Sequence, residues 1–223
     1  MTDMLSAPHN ALPTAPTSRP AARWAAAGGV VAGPLFLAVG IAQGFARDGF
    51  DFTRNAISQL ALGPAGWIQT ASFVLTGALL IAGATGLRRV LRGGPGATWG
   101  AALVGVFGVS FWVAAAFPAD AGAGFPVGAP EETVMSGHGA VHMFGGMIGY
   151  LALCAALVVL ARPLAARGLR GWAVASRAVP VAVLAGFMAS AASVLAFTAG
   201  ASLGLLWLSA VTARLSAGAG SDK

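Results

Sequence analysis

Two histidines four residues apart, His138 and His142 in SGHGAVHMFGGMIGY, stand at the start of a long apolar run. Four residues make little more than one helical turn, so an H-x-x-x-H pair puts both imidazoles on one face. Two zinc ligands at that spacing need a third, and Asp120, at the end of the preceding apolar run, supplies a carboxylate and leaves a position for water. No Glu lies between the histidines, so the metalloprotease signature H-E-x-x-H is not present. Bis-histidine haem ligation is excluded. Two ligands on one face of one helix cannot take opposite axial positions, and the third histidine, His9, lies in the Pro-rich start of the chain.

Ser136 suits the N-cap of this helix, and the positive end of the helix dipole favours neutral imidazole, the form that binds metal. The histidine stripe continues through Gly145 and Gly149, a spacing that lets a neighbouring helix approach closely. Both imidazoles are therefore expected to face the interior of a helix bundle near its mouth. There they could hydrogen-bond to Asp120, Ser58 or loop carbonyls, hold a metal with Asp120, or bind a ligand or sense pH. The first is the commonest use of buried polar groups.

The elements that must position these residues follow from composition. Of 223 residues, 57% are hydrophobic and 9% charged, against about a quarter charged in soluble domains. Such a chain needs lipid as its solvent. One cysteine, Cys154, excludes an internal disulfide framework and thiolate-cluster metal sites. Six apolar runs are predicted to span the membrane, at about Trp24–Gln43, Trp67–Leu87, Thr98–Phe117, Ala140–Ala161, Ala175–Phe197 and Ser202–Leu215. TAGAS, residues 198–202, is the expected connection between the fifth and sixth. Residues 1–23, with Pro8, Pro13, Pro16 and Pro20, read as a disordered tail, and residues 216–223 as a short one.

With both tails cytoplasmic, eleven of the thirteen basic residues fall on the inner side, and only Arg47 and Arg54 lie outside. The +6 net charge thus reports topology and not nucleic-acid binding. Asp48, Asp51, Asp120, Glu131 and Glu132 all fall in the outer loops. No charge lies near the middle of a span, which counts against an ion-coupled transporter. Gln69, Ser72 and Thr76 share one face of the second span and are expected to make helix–helix hydrogen bonds.

The first outer loop, FARDGFDFTRNAISQLALGPAGW, alternates apolar residues with Asp51, Arg54, Asn55 and Ser58. It suits a short amphipathic helix at the membrane surface or dipping into the bundle mouth. Arg54 is expected to pair with Asp51 in a clasp that orders the loop; the alternative is that Arg47 or Arg54 binds an anionic ligand such as a lipid headgroup. In the second loop, FPADAGAGFPVGAPEETVMSG, prolines and glycines exclude regular structure; its expected task is to bring Asp120 to the start of the fourth span.

Several elements in order, NAISQLALGPAGWIQTASF, FPAD, HGAVH and a Trp-rich, Arg-flanked end, resemble the bacterial and archaeal membrane family catalogued as domain of unknown function 998. The resemblance covers about residues 24–215 and implies a fold and a location, without an activity. A fainter one is to the eukaryotic Frag1/DRAM/Sfk1 membrane proteins, where Ile57, Ser58 and His138 or His142 would match, although the P-x-I-S context is missing.

The expectation is an all-α, polytopic bundle of six transmembrane helices spanning residues 24–215, in a bacterial cytoplasmic (inner) membrane. The Ala-, Gly- and Arg-rich usage points to a GC-rich bacterial genome. The leading function is binding of a lipid, small amphiphile or partner protein through an outer cluster of Arg47, Asp51, Arg54, Asn55, Ser58, Asp120, His138 and His142. The alternatives are a membrane-embedded metal-dependent hydrolase using His138, His142 and Asp120, and a transporter. No cofactor is expected except zinc under the hydrolase reading, and no nucleic acid.

Overall fold

A computed structural model describes residues 19–217. Six helices, α1 (Arg19–Ala46), α2 (Gly66–Leu91), α3 (Ala97–Ala116), α4 (Gly137–Ala166), α5 (Arg170–Met188) and α6 (Val194–Ala217), are each long and apolar enough to cross a membrane. No strand occurs among the described residues. The chain is therefore a multi-pass membrane protein. Each helix packs on the next, α6 returns to α1 to close the ring, and α6 also touches α4 and α2 across it.

The two ends of the bundle differ. The short α2–α3 and α4–α5 connections lie at one end with most of the arginines; the long α1–α2 and α3–α4 loops lie at the other. At the arginine end Leu153, Leu157, Leu160 and Leu164 of α4 are fully buried in a core that also holds Leu208, Val211 and Leu215 of α6 and Leu80 and Leu87 of α2, with Leu160 against Gly100 of α3 and Leu153 against Gly204 of α6. Arg167 donates to the Leu215 carbonyl at 2.6 Å, capping the last turn of α6. Close backbone approach holds α1 to α2. A Cβ on Gly83 would lie 2.6 Å from the Gly29 Cα, so only glycine permits this crossing. Exposed Trp24 and Trp99 at this end, and Phe45 and Trp67 at the other, mark two aromatic belts.

Three boundaries differ from expectation. α5 ends at Met188 and α6 begins at Val194, so the turn is 189–193 and TAGAS lies inside α6. Gly200 serves packing there: a Cβ on it would meet the Gly186 Cα at 3.3 Å. The real stop is Ser193, whose Oγ accepts from the Ala196 amide at 3.1 Å, the work of an N-cap. Apolarity is continuous through both stretches and carries no sign of the break. At the other end α5 starts at Arg170, which brings Arg177 onto its exposed side about 10 Å into the helix. The expected tail 1–23 lies outside the described residues except for its last five, which begin α1. Pro20 sits in the first turn, where its missing N–H leaves no bond unmade. Residues 218–223 also lie outside.

Candidate functional site

The first long loop dips into the bundle mouth. Its centre is a 3-10 helix, Ile57–Ala61, with Ile57 and Leu60 buried, Ile57 against Gly40 of α1. Burial of these two residues orients the polar ones between them. Gln59 Oε1 accepts from the Ala56 amide at 3.0 Å, while its Nε2 donates to the Asp120 and Gly122 carbonyls at 3.3 and 3.4 Å. Asn55, 1% exposed, accepts from the Asp51 amide at 2.9 Å and reaches the Ala123 carbonyl at 3.5 Å. The two long loops are thus joined by side-chain amides satisfying buried carbonyls, which would otherwise be costly to bury. Gln59 was not foreseen as a site residue. Its signal was a polar amide held between two residues that must be buried.

The arginines are taken up in the same structure. Arg47 donates from Nη1 to the Leu60 carbonyl at 3.0 Å and from Nη2 to the Leu62 carbonyl at 2.7 Å, with its guanidinium 5.1 Å over the Phe125 ring. Arg54 pairs with Glu131 of the second loop, and not with Asp51 as spacing suggested. Asp51 instead accepts from the Thr53 amide and hydroxyl at 2.8 and 2.7 Å, contacts that hold its carboxyl below the usual range. Helical spacing does not apply where the chain turns. An anionic headgroup therefore meets no uncommitted arginine in this loop among the described residues.

Asp120 does reach the start of α4. Its two oxygens accept from Ser136, Oγ at 2.5 Å and the amide at 2.9 Å, and these bonds hold the carboxyl below its ordinary range. Ser136 Oγ in turn accepts from the Gly139 amide at 3.0 Å and so caps the helix as its sequence position suggests. Glycine at 139 leaves room for the Asp120 carboxylate, which a Cβ there would displace from its place against Ser136.

The histidines part company. His142 Nδ1 lies 2.8 Å from the Phe117 carbonyl and the residue is half-buried, as an inward-facing imidazole should be. His138 is exposed, its ring edge-on to Phe117 at 5.6 Å, which corrects the expectation that both face inward. The stripe through Gly145 and Gly149 packs on Val113 and Ser110 of α3, but α3 stops at Ala116, and in the first turn of α4 only Gly139 is buried, against Asp120, while His138 stays on the open side. Among the described residues no three His, Cys, Asp or Glu side chains form a group able to hold a metal. The His138, His142 and Asp120 zinc set is not assembled, because His142 turns to a carbonyl and Asp120 to Ser136.

Above this junction the bundle is hollow. A cavity of about 370 Å³ lies between the loops and the long-loop halves of α1, α3, α4 and α6. Its walls include Phe36, Phe73, Phe111, Met143, Met147 and Tyr150, and its polar residues include Ser58, Asp120 and His142. Gly146 also faces it, and a Cβ there would meet nothing within 4 Å. Outside the cavity, Gln43 Nε2 donates to Gln69 Oε1 at 2.7 Å, a helix–helix hydrogen bond as expected of Gln69; Ser72 and Thr76, expected to do the same, are buried with no partner among the described residues, as are Gln43 Oε1 and Gln69 Nε2.

Comparison with known proteins places the chain in a family. Residues 30–214 match the model described as "Protein of unknown function (DUF998)", and the chain belongs to that family. No curated protein and no solved structure matches it.

Proposed function

We propose that this protein binds a lipid or small amphiphile in the cavity at its long-loop end and does no chemistry on it. The reading is carried by the cavity itself: about 370 Å³, walled largely by aromatic and methionine side chains, with its one carboxylate, Asp120, and its one imidazole, His142, where the second long loop meets α4. That division suits a molecule with one apolar and one polar part. Methionine walls adapt to chains of varying shape. Asn55, Gln59, Arg47 and the Arg54–Glu131 pair hold the loops over the cavity, and Ser58, Asp120 and His142 remain to meet the ligand.

The long-loop end faces outward in this reading, both termini are cytoplasmic, and the membrane is the bacterial inner membrane. The basic residues support it: eleven of thirteen would lie on the cytoplasmic side.

The test is Gly146→Phe, which fills the cavity where a side chain has room. Protein in nanodiscs should keep its thermal stability yet lose most of the amphiphile that wild type retains, measured by native mass spectrometry. Equal retention by the two proteins would reject the reading.

A further inference from the structure

We infer that the cavity selects an amphiphile with an ammonium head, one bearing N–H donors on a positive charge, over one with an anionic head. The inference rests on the reading that the cavity binds an amphiphile at all, and adds the chemistry of its polar end.

Every cation near that end is committed elsewhere. Arg47 is bound to two carbonyls and stacked on Phe125, and Arg54 is paired with Glu131. Among the described residues none lining the cavity is Lys or Arg. Its hydroxyls, among them Ser58, Thr133, Ser190 and Ser202, can donate or accept to either kind of head, so Asp120 and His142 decide the preference, and both offer acceptors. Asp120 has no cation within ion-pair distance among the described residues, and each of its oxygens takes a single bond from Ser136. A carboxylate has about four acceptor sites, so two further bonds can be made. The Ser136 bonds also keep Asp120 ionised at neutral pH.

His142 adds a second acceptor. Its Nδ1 faces the Phe117 carbonyl, which can only accept, so Nδ1 carries the proton. In the neutral ring Nε2 is then left with its lone pair. Around these acceptors stand aromatic rings: Phe73 lies 6.4 Å from the His142 ring and 5.6 Å from Phe36. Aromatic faces attract cations and repel anions. An ammonium head could meet all three features together. A carboxylate or phosphate head would meet a second negative charge and no donor with charge to spare.

The probe is dodecylamine with a diazirine at the chain end, photolabelled into wild-type protein in phosphatidylcholine nanodiscs, the labelled residues located by mass spectrometry. Label should fall on α4 and α6 residues of the cavity and vanish in Gly146→Phe. If it does not, the amphiphile reading and the present inference fall together. Competition with unlabelled compounds of equal chain length then isolates the head. Dodecylamine should compete at about tenfold lower concentration than dodecanoate, the size of a hydrogen bond to a charged group. Dodecyltrimethylammonium, which lacks an N–H, should fall between them. Dodecanoate competing as well as dodecylamine would overturn the head preference while leaving the cavity reading intact. Asp120→Asn should erase the preference, and His142→Phe should reduce it without disturbing the Ser136 contacts. Asp48→Asn removes an exposed charge outside the cavity and should leave the preference unchanged. A preference unaltered in both cavity variants, or lost equally in Asp48→Asn, would also overturn it.

Discussion

The two ends of one helix tell opposite stories. Along its arginine-end half α4 carries Leu153, Leu157, Leu160 and Leu164, each fully buried against its neighbours. Along its long-loop half it carries His142, Met143, Gly146, Met147 and Tyr150, and these face a cavity. The lipid around both halves is the same, so the difference lies in the partners. α5 is 19 residues long and α4 is 30, so α4 runs on past the α5–α6 turn and loses a neighbour there. Loops fill part of that gap and leave the rest open. Leucine at successive buried positions makes a close-packed core, whereas glycine and methionine leave room that can be filled in several ways. Stability should therefore reside at one end and ligand binding at the other.

The sharpest challenge to this division is to make equal insults to the two ends. Leu157→Ala should cost about 2–4 kcal/mol of stability by leaving a hole the packed end cannot close. Met147→Ala, on the cavity wall, should cost well under half as much. Thermal unfolding in matched nanodiscs compares the two, and similar losses would dissolve the distinction. A smaller effect is expected from Gln59→Leu, which orphans the Asp120 and Gly122 carbonyls and should cost about 1–2 kcal/mol. Hydrogen exchange should show the loss as faster exchange in the two long loops, with α4 residues 153–164 unchanged.

Acidification separates the ends by another route. Asp120 has a folded-state pKa below its unfolded one, chiefly through its bond from the Ser136 hydroxyl. Its contribution is thus complete above the ordinary carboxylate range and lost as pH falls through the depressed value. The long loops should loosen below about pH 4, where free Asp titrates, before the leucine-packed end does; Asp120→Asn should remove the part of that step at the second loop and the start of α4 from the hydrogen-exchange profile, leaving the part that Asp51 contributes in the first loop. The smallest effect belongs to the buried amide pair between α1 and α2. Replacing Gln43 and Gln69 together by leucine should change stability by less than about 1 kcal/mol, since paired polar groups inside membranes contribute little beyond their apolar replacements. A large loss would mean that Ser72 and Thr76 belong to a network reaching further than this pair.

Much of the architecture was legible in the residues. Apolar runs of spanning length located all six helices, and Ser136 announced the start of α4. What misled was the α5–α6 turn, because small apolar residues read alike in a helix and in a tight turn. TAGAS looked like a connection because it is rich in small residues, but Gly200 is there for a helix neighbour. Arg54 offered a local partner by spacing and took a distant one, Glu131. The role of Gln59 was invisible because the carbonyls it satisfies belong to another loop.

By itself the sequence determined that this chain lives in lipid, how many times it can cross, and which polar residues gather at one end. Those properties follow from counts and periods along the chain, since burial in a bilayer depends on the length and polarity of each segment alone. Tertiary structure decided the rest: that His142 lines the cavity while His138 is exposed, that both loop arginines are committed, and that one half of the bundle is hollow. Each depends on where neighbouring helices end and which groups they bring within a few ångströms, and no period along a single chain records that.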